Sequence, residues 1–406
     1  MTKNTTITFE SLQLIQPIQK ALSSEGYTHP TPIQAQAIPL ILDKRDLFGI
    51  AQTGTGKTAA FTIPILQMLA SHTHAEKGRK PIKCLILTPT RELASQIGES
   101  IANYGKHLKS NHTVIFGGVN QFSQVNAIRA GVEILIATPG RLLDLINQRI
   151  VILKDVQYLV LDEADRMLDM GFFDDIMFVI KHLPPKRQNL LFSATMPVKI
   201  RDLARKILHQ PVEINIAISK PPDQIVQKVF FIYETQKIPL VAHLLKEGKQ
   251  TDVLIFCSSK LSVKQLTREL KRLRFNADEI HSDLEQDQRE EVLSRFRSGK
   301  LGILVATDIL SRGIDIDSIE LVINFDVPHD GEDYVHRIGR TARAKAEGSA
   351  FTLVTPQEQY KFSGIEKLME LKVPVGLVPE ELGETPVYDP AAFKKKSGKK
   401  TFYRKK

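Results

Sequence analysis

Short apolar runs, separated by stretches whose apolar residues recur every three or four positions, set the plan of this chain. Leu47 to Ile50, Cys84 to Leu87, Ile134 to Ala137, Leu159 to Leu161 and Asn189 to Phe192 have strand length, with amphipathic helical stretches between them. A second series begins near Gln224 with Val229 to Tyr233, Val253 to Cys257, Ala277 to Ile280, Gly302 to Ala306, Leu321 to Phe325 and Ser349 to Val354. Strands alternating with helices predict parallel, doubly wound sheets, and two such series predict two α/β domains. Between them lies Ser219-Lys220-Pro221-Pro222-Asp223, whose paired prolines prevent helix continuation and suit an extended hinge. From Val373 the apolar periodicity fades, and a mostly disordered tail is expected.

Length agrees with two domains or more, since 406 residues exceed one ordinary core. There is no stretch of ~18 apolar residues, and Met1-Thr2-Lys3-Asn4-Thr5-Thr6 leads into no apolar signal core. The expectation is a cytoplasmic protein with no membrane partner. Cys84 and Cys257 both fall inside apolar strand-like runs and have no Cys or His at ligand spacing, so buried, chemically idle thiols are expected. The net charge of +9 is mostly local: residues 394–406 carry seven Lys, one Arg and no acid, leaving the rest of the chain close to neutral. Any strong sequence-independent grip on nucleic acid should therefore come from that end.

Two segments carry chemistry, each directly after a strand-like run. In Ala51-Gln52-Thr53-Gly54-Thr55-Gly56-Lys57-Thr58 the glycines let the backbone wrap a polyphosphate with inward amides, and the helix from Lys57 onward points its positive end there. Lys57 offsets β- and γ-phosphate charge, and the Thr58 hydroxyl can ligate Mg²⁺. Ala51 stands where this pattern usually opens with Gly. In Asp162-Glu163-Ala164-Asp165 the first carboxylate emerges at a strand end, where ligands of open α/β sheets sit. It can hold Mg²⁺, in part through water, while Glu163 orients or deprotonates the attacking water. Together the two segments predict an ATP-hydrolysing site.

With these segments in place the chain resembles the DEAD-box ATP-dependent RNA helicases of superfamily 2, over about Phe9 to Leu371 and with the motifs in the family's order. The Asp-Glu-Ala-Asp-Arg-Met-Leu-Asp-Met-Gly-Phe segment is most similar to the bacterial RhlE-like branch. The resemblance implies two tandem RecA-like domains: residues 1–217 with a base-reading Q motif over 7–35, a linker at 218–223, a second domain over 224–371 and a basic tail over 372–406. It implies that Gln34 reads adenine beside Tyr27, with Phe9 upstream, and that the loop Gln52, Thr53, Gly54, Thr55, Gly56, Lys57 and Thr58 holds the phosphates. A side-chain amide can donate to and accept from the adenine edge, and a tyrosine ring offers a stacking face. Asp315 would bind the ribose.

By the same resemblance Pro89, Thr90, Arg91, Gly117, Gly118, Thr138, Gly140 and Arg141 contact RNA from the first domain, and Gln286, Arg289, Thr307 and Arg312 from the second. Hydroxyls, glycine amides and an occasional arginine grip phosphate and ribose without reading bases. Ser193 and Thr195 couple hydrolysis to unwinding, and His336 links to the Asp165 region. Arg340 and Arg343, three positions apart, can aim both guanidiniums at one phosphate group as arginine fingers. Ala342 stands where the family usually has Gly. The implied activity is RNA-stimulated ATP hydrolysis with Mg²⁺, coupled to domain closure and local unwinding, in a monomer serving ribosome assembly or RNA decay. Lys394 to Lys406, with Phe402 and Tyr403, could tether RNA. The competing readings are an ATP-gated RNA clamp and a DNA helicase of the same superfamily.

Overall fold

The computed structural model describes residues 7–51, 54–71, 80–216, 225–248, 251–307, 319–328, 331–341 and 348–392. They form two compact units, one on each side of the 217–224 segment. The hinge prolines Pro221 and Pro222 lie outside the described residues.

The first unit is a seven-stranded sheet of β1 (Leu47–Ile50), β2 (Cys84–Leu87), β3 (His112–Ile115), β4 (Ile134–Ala137), β5 (Tyr158–Leu161), β6 (Gln188–Ser193) and β7 (Val212–Asn215). Its order is β3-β4-β2-β5-β6-β1-β7, and every pairing is parallel. Parallel strands need helical crossovers, which cover both faces and demand apolar residues on both. The pleat divides them cleanly. Cys84, Ile86, Ile134, Ile136, Tyr158 and Val160 enter one core, and Leu85, Leu87, Leu135, Ala137, Leu159 and Leu161 enter the other. The parallel register also brings all the carboxyl ends to one edge, with Ile50 opposite Ser193 and Leu161 opposite both Leu87 and Leu191.

The second unit is a six-stranded parallel sheet in the order β10-β11-β9-β12-β13-β8, made of β8 (Ile225–Phe231), β9 (Val253–Cys257), β10 (Ala277–Ile280), β11 (Ile303–Thr307), β12 (Leu321–Asn324) and β13 (Gly348–Val354). Both cysteines are buried within strands, as their surroundings in the sequence predict. Among the described residues no helix is long and apolar enough to cross a membrane.

The ends of β9, β12 and β13 are tied together by charge. Lys237, 2% exposed, places Nζ 2.8 Å from Asp326 Oδ1, 3.6 Å from Glu358 Oε2 and 3.3 Å from Glu234 Oε2. Asp326 Oδ2 accepts from the Ser258 amide and hydroxyl at 2.7 and 2.9 Å. Burial alone would push the Asp326 carboxyl up, yet Lys237 and Ser258 hold it below its usual 3.8. Burial would likewise lower Lys237, and its acidic neighbours, Asp326 first, raise it above 10.5.

The segment after Val373 departs from the expected disorder over residues 373–392. Val375 bridges to Val229 in parallel fashion, with the Val229 amide donating to Pro374 O and Gly376 donating back to Val229 O. Gln236 Nε2 donates to Leu382 O and Glu384 O, and Gln359 holds Val387 O and the Asp389 amide. The Tyr388 ring stacks on Phe231 at 4.4 Å, and its hydroxyl donates to Glu366 Oε2 at 2.8 Å. Side-chain amides satisfy this backbone instead of a strand ladder, so no periodic apolar signal marks it. Residues 393–406 lie outside the described residues.

Tyr388→Ala is expected to cost the second unit about 2 kcal/mol, since it uncovers the Phe231 ring and removes a donor from Glu366. Denaturant unfolding checks this, and an unchanged midpoint would contradict the strap. The Asp326 contribution persists above 3.8 and is lost as pH falls through its lower folded value; that of Lys237 persists below 10.5 and is lost as pH rises through its higher one. The destabilisation caused by Lys237→Met, about 3 kcal/mol, should therefore be equal at about pH 5 and about pH 9.

Candidate active site and nucleic-acid loops

The phosphate loop leaves the sheet at β1. The Ala51 amide donates to Ser193 O at 3.0 Å, and Ala51 is buried in the core, so its methyl group is accommodated. Gln52 and Thr53 lie outside the described residues. Gly54 and Gly56 have φ of 84° and 90°, and Gly56 caps the helix Lys57–Ala70. A Cβ on Gly56 would sit 2.3 Å from Gln34 Nε2, so both backbone angle and space require glycine. Thr55 and Thr58 are half-buried on the same turn. Lys57 is 6% exposed, and its Nζ is buried without a hydrogen-bond partner among the described residues.

Gln34 joins this loop to the base-reading segment. Its Oε1 accepts the Thr31 amide at 2.9 Å, and its Nε2 donates to Gly56 O at 3.2 Å. One amide N–H and one lone pair remain for a base. Tyr27 is half exposed, with its ring 6.3 Å from Tyr104. Phe9 is buried and its amide donates to Thr28 O, so it props the Tyr27-Thr28 loop from below.

Asp162 and Glu163 emerge from β5, two strands from the phosphate loop. Burial pushes the Asp162 carboxyl up to about 6, with Lys57 opposing and Glu163 and Asp165 adding to the rise. Its Oδ1 accepts the Glu163 amide at 3.0 Å. Glu163 adopts left-handed φ 50°, ψ 50°, a conformation costing a non-glycine residue about 1 kcal/mol. Its Oε2 lies 3.6 Å from Arg166 NH1, and both side chains are buried. Arg166 carries little signal in the sequence beyond standing three residues after the carboxylate it pairs.

Asp165 joins two predicted motifs. Its Oδ2 accepts the Ala194 and Thr195 amides at 3.1 and 3.0 Å, and its Oδ1 accepts the Arg166 amide at 2.9 Å. The end of β6 is thereby fastened to the carboxylate segment, with the Ser193 hydroxyl buried beside it.

The expected RNA loops of the first unit follow β2, β3 and β4, which are neighbours in the sheet. Thr90 caps the helix Arg91–Tyr104 by accepting the Leu93 amide, with Pro89 just before it. The Arg91 guanidinium lies across Gly118, where φ is 76° and a Cβ would come within 2.2 Å of it. Gly117 and Gly140 face open space, and Thr138 precedes the helix Pro139–Asn147. Arg141 is committed to Gln124 Oε1 and Val119 O at 3.1 and 2.9 Å. It staples two of these loops together.

In the second unit Thr307 ends β11 half-buried. Gln286 and Arg289 are buried; the first donates to Glu290 one turn on in its own helix, and the second donates to Ser282 O just after β10. His336 is half-buried on the helix Gly331–Ile338, and Arg340 is buried just beyond it. Arg312, Asp315 and Arg343 lie outside the described residues.

A partnerless buried ammonium, a helix N-terminus and a loop of left-handed glycines fit a polyphosphate, and a buried carboxyl at the next strand but one fits a divalent cation. The DEAD/DEAH box helicase model matches residues 31–203, and the helicase conserved C-terminal domain model matches 236–345. The chain is 41% identical over 369 residues to the ATP-dependent rRNA helicase RRP3 of Meyerozyma guilliermondii, covering 90% of this chain and 76% of that one. It is 39% identical over 369 residues to the DEAD-box ATP-dependent RNA helicase CshA of Bacillus licheniformis, covering 91% and 74%. It spans about half the length of other curated relatives that it matches. The solved structure of S. cerevisiae Dbp5 bound to RNA and ADP BeF3 superposes with a TM-score of 0.81 at 30% identity, over 91% of this chain and 95% of that one. The chain belongs to the DEAD-box helicase family, and its two sheets are RecA-like domains.

Gly56→Ala should weaken ATP binding at least about tenfold, because the added methyl meets Gln34 and the left-handed backbone is strained by about 1–2 kcal/mol; equilibrium titration measures it. Asp165→Ala should speed hydrogen exchange at the Ala194 and Thr195 amides about tenfold or more while leaving the β6 ladder protected. Unchanged protection would show that the carboxylate does not hold this turn.

Proposed function

We propose that this protein is an ATP-dependent RNA helicase in which RNA stimulates hydrolysis and the two domains close to separate a few base pairs. The observation that carries the reading is the buried Lys57 ammonium with no hydrogen-bond partner beside Asp162. Adenine is read by Gln34 and stacked by Tyr27, and the phosphates lie on the loop to Thr58. Mg²⁺, held by Asp162 and Thr58 with phosphate oxygens and water, would neutralise charge on the β- and γ-phosphates. Glu163 orients and deprotonates the attacking water. Arg340 and Arg343 supply positive charge to the γ-phosphate once the second domain arrives, so hydrolysis depends on closure.

RNA is gripped through phosphate and ribose by Thr90, Arg91, Gly118, Thr138, Gly140 and Arg141 from the first domain and by Gln286 and Arg289 from the second, with Arg141 also bracing its neighbouring loop. Asp165, Ser193, Thr195 and His336 carry the state of the nucleotide toward the RNA. We place the chain nearest the bacterial RhlE-like branch and in the cytoplasm, acting as a monomer. A relative named as an rRNA helicase supports ribosomal RNA as the substrate class. The tail from Lys394 would tether RNA by charge and stacking.

Glu163→Gln and Arg340→Ala should each cut RNA-stimulated turnover about a hundredfold or more, measured as multiple-turnover phosphate release. Intact rates would refute the assignment, slow turnover in the unaltered protein would favour a clamp, and equal stimulation by 2′-deoxy strands would favour a DNA helicase. Deleting residues 394–406 should raise the apparent KM for RNA and flatten its dependence on salt. No change in either would defeat the tether.

A further inference from the structure

Among its described residues the second unit buries one ammonium that the hydrolysis scheme leaves without a task. Lys237 stands among Asp326, Glu358 and Glu234, and Asp326 serves three loops at once. One carboxylate oxygen takes Lys237, the other takes Ser258, and the Asp326 backbone carbonyl accepts Arg337 NH1 at 2.8 Å. Arg337 is 2% exposed. It also donates to Asn324 Oδ1 at 3.1 Å and lies 5.1 Å over the Phe256 ring. Asn324 is held in turn, its Nδ2 donating to Thr352 Oγ1.

Arg337 occupies the last turn of the helix Gly331–Ile338, and the Arg340 amide donates to Arg337 O at 3.1 Å. The first half of that helix has its own anchor, because the Tyr334 hydroxyl donates to Gln227 Oε1 at 3.0 Å. The Asp326 carbonyl is thus an anchor of the half from which Arg340 leaves, together with Asn324 on Arg337 and, just beyond Arg340, Thr341, whose hydroxyl donates to Ile319 O and Glu320 O.

We infer that Lys237 is a positioning residue for Arg340: by fixing Asp326 it fixes Arg337, and through it the end of the helix that presents Arg340 to the γ-phosphate. This rests on the proposed function. Without the ammonium, Asp326, Glu358 and Glu234 converge with no cation between them. Asp326 and Val327, whose amide Glu358 Oε1 binds at 3.1 Å, then move apart from Glu358 and carry the carbonyl away from Arg337. A displacement of about 1 Å at a transition-state charge is enough to cost ten- to a hundredfold in rate.

The test compares the full-length protein with Lys237→Met, Asp326→Asn and the double variant, each checked for folding by thermal unfolding at the assay temperature. RNA-stimulated ATP hydrolysis is expected to lose about tenfold in kcat in Lys237→Met and about threefold in the milder Asp326→Asn, with KM for ATP unchanged. Because both act on one link, the double variant should lose no more than Lys237→Met alone. If Lys237→Met does not fold, Asp326→Asn alone decides. Wild-type kcat in a folded variant, or losses that multiply as independent effects, would overturn the inference. Absence of RNA stimulation in the unaltered protein would instead overturn the reading on which it rests.

Discussion

A buried ammonium that the protein itself does not satisfy is the constraint around which the first domain is built. Removing a charge from water costs several kcal/mol unless partners replace the water. Lys57 is 6% exposed and has no hydrogen-bond partner among the described residues, and the carboxyl beside it is pushed up to about 6 by its own burial. Neither group is at ease alone, so a polyphosphate with its metal supplies partners that the protein's own groups do not. The left-handed backbones at Gly54, Gly56 and Glu163 belong to the same arrangement. Strain gathers at the strand ends because the sheet beneath them, packed on both faces, holds them there.

The sheet order then divides the labour. β5, β6 and β1 are neighbours, so Asp162, the Ser193–Thr195 turn and the phosphate loop share one stretch of edge. On the other side of β5 lie β2, β4 and β3, which carry the loops with Thr90, Arg91, Gly118 and Thr138. The proposed nucleotide and RNA loops thus occupy two halves of one edge. Asp165 reaches from β5 across to the amides after β6, so the carboxylate segment and the Ser193–Thr195 turn are one hydrogen-bonded unit.

What could be read from the sequence follows from how each element is buried. Central strands such as Cys84–Leu87 and Val253–Cys257 are apolar on both faces, so they stand out as uninterrupted runs. The strands His112–Ile115 and Val212–Asn215 did not stand out, because both lie at sheet edges where polar residues are tolerated. β8, another edge, begins four residues before the expected Val229 for the same reason. The ATP site was legible because phosphate binding needs particular residue types at fixed spacing. The hydrogen bonds that Arg141 and Arg289 make inside the fold were not, since nothing local in the sequence says which backbone carbonyl a guanidinium will reach. Lys237 and Asp326, 89 positions apart, meet only in the fold.

The account stands or falls on what completes Lys57. Calorimetric titration of Lys57→Met with Mg·ATP and, separately, with adenosine isolates that contact. Loss of about a hundredfold or more in affinity for ATP, with adenosine bound as before, is the expected result. Unchanged ATP affinity in a folded variant, or equal losses for both ligands, would contradict a polyphosphate at the buried ammonium.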